Sequence, residues 1–187
     1  LPVEKMTVKN DQQYFTEHPQ YHMYLHPELP SYEEQMSRRD SLLDKHPTLH
    51  FIGAHFASLE WSVDELARFL DRYPNATVDM AARMGQLQYQ SSQDYAKVRA
   101  FLIKYQDRLL YATDLTLQPD TDSKEFAQEA EQQWRADWHY LSGNEAMNSP
   151  LFDAPFSGMH LPRLVVDKIY RLNAEREFSH PFNPKPH

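Results

Sequence analysis

The sequence predicts an α/β fold with parallel strands, cut from a larger closed structure. Three observations predict it. Two short apolar runs, Leu49-His50-Phe51-Ile52-Gly53-Ala54-His55 and Arg108-Leu109-Leu110-Tyr111-Ala112-Thr113-Asp114-Leu115, each end in a group capable of chemistry. Runs of this length read as strands buried on both faces, as parallel sheets require. Expected strand ends near 55, 80 and 114 then recur at roughly the length of a βα unit. Finally, three parallel strands alone would leave two bare edges and uncovered faces, so the pattern belongs to something larger.

In chain order, residues 1–30 show little periodicity and many aromatics, prolines and histidines. They read as an ordered loop with aromatic anchors, because the prolines disfavour a continuous helix. His18, His22 and His26 recur every fourth residue. On a helix they would form a metal face, and in a loop they would hydrogen-bond backbone. Ser31-Tyr32-Glu33-Glu34 is a capping box that starts a helix expected to reach Lys45. A strand over 48–54 follows, then a loop from Phe56 to Trp61. A second capping box, Ser62-Val63-Asp64-Glu65, opens a helix with Val63, Leu66, Phe69 and Leu70 on one face. Ala76 to Met80 reads as the next strand.

A third helix is expected over about 92–105, with Tyr95, Val98, Phe101 and Leu102 on its apolar side, and the strand carrying Asp114 follows. A long helix from about Ser123 to Leu141 turns Phe126, Ala130, Trp134, Trp138 and Leu141 inward. Gly143 to Gly158 reads as loop. Leu161-Pro162 begins a last helix with proline in its first turn, carrying Leu164, Val165, Ile169 and Leu172. The proline-rich tail over 179–187 is expected to be loosely held. The whole of 1–187 is one partial domain, with 31–178 as its βα units.

Composition narrows the partners. The 187 residues suit one globular domain, and a formal net charge of -8 argues against nucleic acid, whose binding needs clustered Lys and Arg. No apolar run is long enough for a membrane-spanning helix. Zero cysteines exclude thiolate chemistry, and 4 glycines argue against a Gly-rich phosphate loop. Association of two copies through open sheet edges is an option.

Four stretches together resemble the C-terminal part of the amidohydrolase superfamily, in the branch that includes hydrolases and non-oxidative decarboxylases. They are HPTLHFIGAHFAS at 46–58, LDRYPNATVDMAAR at 70–83, FLIKYQDRLLYATDL at 101–115 and LPRLVVDKIYRLNAER at 161–176. The resemblance implies the last part of a (β/α)8 TIM barrel, with the site at the C-terminal ends of its strands. It makes the strands ending near His55, Val78 and Asp114 the sixth, seventh and eighth, with Leu1-Pro2-Val3 just past the fifth.

It also implies a divalent metal, most often zinc, held by histidines of earlier strands and by the aspartate ending the eighth. Asp114 matches that position, as metal ligand and as acceptor of a proton from metal-bound water. His55 matches the sixth-strand histidine, a general acid/base or a substrate-orienting group. Arg83, just beyond the seventh strand, is a candidate to bind a substrate carboxylate, with an ion pair to Asp79 as the alternative. The sequence departs from the family in lacking a His-x-His pair, so three protein ligands are expected to be absent. Where some decarboxylases place an acid three residues after this histidine, the chain has Ser58, and Glu60 is out of register. These expectations make the parent protein a metal-dependent hydrolase of a small ester, lactone or amide, with the chain itself inactive alone. Decarboxylation, or a non-catalytic barrel remnant, are the alternatives.

Overall fold

The computed structural model describes residues 2–178; the expected loose tail over 179–187 lies outside them. Its centre is a parallel sheet of three strands in the order β1 (Phe51–Gly53), β2 (Ala76–Asp79) and β3 (Leu109–Leu110). The register pairs Phe51 with Ala76, Gly53 with Val78, and Asp79 with Leu110. All three strands therefore point the same way and deliver their C-terminal ends to one rim. This is the parallel α/β architecture expected, and it is compatible with part of a TIM barrel.

Helices follow their sequence signals closely where a cap is present. The helix α1 (Lys9–Glu17) lies in the segment expected to be loop, followed by 3-10 turns at Pro19–Tyr21 and Met23–Leu25. The prolines end helices there rather than prevent them. His18, His22 and His26 accordingly share no helix face, and no metal-binding group of three forms among the described residues. His26 instead bonds the Pro19 carbonyl and the Glu28 carboxylate.

The next helix, α2 (Tyr32–Lys45), begins at a complete capping box between Ser31 and Glu34. Ser62 caps α3 (Val63–Arg72), whose Val63, Leu66, Phe69 and Leu70 are all buried. The helix α4 (Met84–Gln93) lies where no element was expected, and α5 (Tyr95–Lys104) is the helix expected over about 92–105. Gly85, Gln86, Gln88 and Ser91 sit on buried faces of α4, so an apolar period could not reveal it.

Past the sheet, α6 (Ser123–Ser142) has the expected length, but Trp134 is 52% and Trp138 36% exposed. Its buried side is Ala130, Asp137, Tyr140 and Leu141. Trp138 is held edge-on to Tyr170 at 5.1 Å instead of entering the core. The expected loop at 143–158 is a hairpin of β4 (Ala146–Ser149) and β5 (Phe152–Ser157), irregular between Met147 and Ser149. Gly143 and Gly158 let its two ends touch, since a Cβ on Gly158 would stand 2.3 Å from the Gly143 carbonyl oxygen.

The chain closes with α7 (Arg163–Asp167), a π-helical stretch (Lys168–Leu172) and α8 (Asn173–Glu177). This last segment covers the edge of β3: the fully buried Asn173 amide donates to the carbonyls of Leu109 (2.8 Å) and Gln106 (2.7 Å), and Tyr111 N–H donates to Ile169 O (2.9 Å). An edge that would otherwise carry bare carbonyls is thereby satisfied.

Asp137 gives α6 a pH dependence. It is buried, and the Tyr111 hydroxyl donates to its Oδ2 at 2.9 Å, while Tyr111 stacks on Tyr170 at 4.1 Å. Burial pushes its carboxyl up to about 6 from an ordinary 3.8, against the lowering effect of the Tyr111 and Gln133 hydrogen bonds. The folded chain therefore holds a proton that the unfolded chain releases between those values. Its contribution to stability is complete below pH ~4 and is lost as pH rises through about 6, a change of about 3 kcal/mol. Urea unfolding from pH 4 to 7 should show Asp137→Asn losing less stability across this window than the unsubstituted chain. Equal slopes would remove Asp137 as the cause.

Candidate functional site

The rim is built from backbone held in a rarely used conformation. His55, Phe56, Ala57 and Ser58 have φ of 54°, 54°, 55° and 59°, one left-handed turn immediately after β1. Side-chain crowding makes this cost about 1–2 kcal/mol for each residue that is not glycine. The other two strands also leave the sheet through a left-handed residue, Ala82 with φ 53° and Asp114 with φ 65°. Such strain persists only where neighbours over-determine it.

Those neighbours can be named. Asp79, the last residue of β2, accepts at Oδ1 from His55 N–H (2.8 Å) and from Ala81 N–H (3.1 Å), tying two strand exits to one carboxylate. Arg39 from α2 donates to the Ala57 carbonyl and the Tyr32 hydroxyl to that of Ser58. Phe56 is buried beneath the turn. Gly53 is required by proximity, because a Cβ there would lie 2.5 Å from that of Ala57. Across the third strand exit, Ala82 N–H donates to Thr113 O at 3.2 Å, which seats Asp114 beside the end of β2. The ladder of β3 ends at Leu110, so Asp114 stands four residues beyond the strand, not at its last position as expected.

This frame brings His55 Nε2 to 3.9 Å from Asp114 Oδ2, with both side chains open to solvent. His55 Nδ1 lies 2.8 Å from the Ala81 carbonyl oxygen. A carbonyl only accepts, so Nδ1 carries the hydrogen and the neutral ring presents a lone pair at Nε2. Two Lewis bases thus face one another across a gap, an arrangement that calls for a proton or a cation between them.

Arg83 is elsewhere. Its Nε lies 3.3 Å from Glu60 Oε1 and its Nη1 donates to the Ala82 carbonyl at 3.1 Å. The alternative pair with Asp79 does not form, because Asp79 is engaged by backbone amides. Glu60 is buried, and desolvation raises its pKa while the Arg83 charge opposes the rise. Sequence reading missed Asp79 and Glu60 as parts of the site. A carboxylate ending a strand was the available signal for Asp79; Glu60 was marked only as an acid out of register with the family pattern.

A chain with parallel strands that collect an imidazole and a carboxylate at their C-terminal ends has the site geometry of α/β enzymes. It matches the amidohydrolase family model over residues 21–179 and belongs to that family. No curated protein and no solved structure matches it. Membership suggests a metal-dependent hydrolase or decarboxylase-like function.

The metal this family generally uses can be tested against the residues present. Two donors on one tetrahedral ion with ~2.0–2.1 Å bonds stand roughly 3.3 Å apart, so a 3.9 Å separation is slightly wide but of the right order. Their number does not fit: two donors fall short of the usual three or four, and no group of three is found among the described residues.

Proposed function

We propose that this chain is the C-terminal part of a metal-dependent hydrolase acting on a small ester, lactone or amide. The observation that supports it is the facing of His55 Nε2 and Asp114 Oδ2 at the rim of a parallel sheet. A zinc site would use Asp114 together with ligands beyond those found among the described residues. The chain's own residues have definable tasks. Asp114 accepts a proton from the attacking nucleophile, and its exposure lets that proton pass on to solvent. His55, with Nδ1–H fixed on Ala81, offers Nε2 to the substrate as base or, once protonated, as acid. Arg83 would orient an anionic group of the substrate with the guanidinium hydrogens that Glu60 and Ala82 leave.

The chain joined to its upstream coding sequence and supplied with zinc should cleave a chromogenic ester or lactone. Release of carbon dioxide from a small carboxylic acid without such cleavage would replace this reading with decarboxylation. The 187-residue chain alone should retain less than one equivalent of zinc by elemental analysis. A full equivalent would show that residues 1–187 complete the ligand set themselves.

A further inference from the structure

A cavity of about 660 Å³ lies between residues 2–36 and the loop after the left-handed turn, and neither His55 nor Asp114 lines it. Five rings line it: Phe15, Tyr21, Tyr24, Tyr32 and the imidazole of His26, which is held by the Pro19 carbonyl and the Glu28 carboxylate. So do the carboxylates of Glu4, Asp11, Glu33, Glu34 and Glu60, against the single guanidinium of Arg83. Two of these acids are already answered, Glu33 by Lys5 at 3.2 Å and Glu34 by the Ser31 backbone amide at 2.8 Å. Asp11 is held by the neutral amide of Gln86 at 3.0 Å, which leaves its charge in place.

Glu60 is the telling residue. Its side chain is only 4% exposed, yet Oε2 has no hydrogen-bond partner among the described residues. Arg83 Nε stands 3.3 Å from Oε1 as an ion pair, without a hydrogen bond to it. A buried carboxylate oxygen left without a donor costs about 1–3 kcal/mol or more, a penalty that a ligand bearing N–H groups or positive charge would relieve. Aromatic faces favour the same ligand, since ring quadrupoles attract cations within about 6 Å. The protein already uses that attraction next door, with Lys5 Nζ 4.5 Å from the Tyr32 ring centroid and 4.7 Å from that of Trp61.

We propose that this cavity is a binding site for a small organic cation, an ammonium carrying an apolar group, with Glu60 as its counter-ion and the rings of Phe15, Tyr21 and Tyr24 around it. Tyr21 and Tyr24 are 60% and 59% exposed at the mouth, placed to fold over an occupant and bury their own faces. The site shares no residue with the His55–Asp114 pair, and although Arg83 lines it, the cation site rests on Glu60 and not on the substrate role proposed for Arg83. It can survive the failure of that reading, and the converse holds.

The test compares three probes of one size on the 187-residue chain: benzylamine, benzyl alcohol and benzoate, titrated at pH 7 by amide NMR. Benzylamine should shift resonances of residues 11–36, 60 and 83 and bind at least tenfold more tightly than benzyl alcohol. In Glu60→Gln, with its fold checked by circular dichroism, that preference should fall below threefold. If Glu60→Gln does not fold, Tyr24→Ala, changed at an exposed ring, should weaken benzylamine at least threefold. Equal binding of the alcohol, preference for benzoate, no shifts in these residues, or variants that bind benzylamine as the parent does would each overturn the proposal.

Discussion

On the proposed hydrolase reading, Asp114→Asn is expected to lower kcat/KM of the metal-supplied parent enzyme by about 10²–10⁴-fold, the range for loss of a positioned acid or base. The substitution is chosen for the backbone as much as for the carboxylate. Asp114 sits at φ 65°, a region in which asparagine is as comfortable as aspartate, whereas alanine there would add strain. Its side chain is 58% exposed and holds no part of the core, so folding should be unaffected. An unfolding free energy in urea within about 0.5 kcal/mol of the parent would confirm that the activity loss is chemical. Retention of activity to within a factor of three would remove Asp114 from the mechanism. His55→Asn gives a weaker comparison, since it also breaks the contact with the Ala81 carbonyl that fixes the tautomer.

What the sequence could disclose depended on whether the signal was local. Serine caps at Ser31 and Ser62 act over a few residues, and their helices start where the pattern put them; the apolar runs ending in His55 and Asp114 do mark strands, but the ladders stop short, β1 at Gly53 and β3 at Leu110. The hairpin at 146–157 does alternate, with Phe152, Ala154 and Phe156 turned in and Asp153 and Pro155 out, but the run is short, weakly apolar and interrupted by proline, so it reads as loop. The tryptophans of α6 obeyed helical spacing and still face outward: period sets which residues share a face, and tertiary docking decides which face is covered. Glu60 and Arg83 are 23 positions apart and meet only because two strand exits are adjacent. The left-handed turn at 55–58 was the least legible feature. None of its residues prefers that conformation, and the partners that enforce it come from 32, 39 and 79.

That enforcement can be measured at Asp79, where the largest stability effect at the rim is expected. Its Oδ1 accepts two backbone amides, those of His55 and Ala81, each a charge-assisted bond worth about 1.5–3 kcal/mol. Asp79→Ala removes both at once. It leaves the left-handed turn, whose strain is on the order of 4–8 kcal/mol over four residues, without its anchor at the first of them. Loss of about 3–5 kcal/mol of stability in urea unfolding should result, together with a changed chemical shift of the His55 ring as the turn relaxes. Asp79→Asn should cost about 1 kcal/mol, because the amide oxygen still accepts and only the charge is lost. The two variants separate anchoring from burial: both replace the same half-buried residue, and only alanine takes the acceptor away. Stability of Asp79→Ala within about 0.5 kcal/mol of the parent would show that the turn is held by Arg39 and Tyr32 alone. In that case His55 would not depend on β2 for its place opposite Asp114.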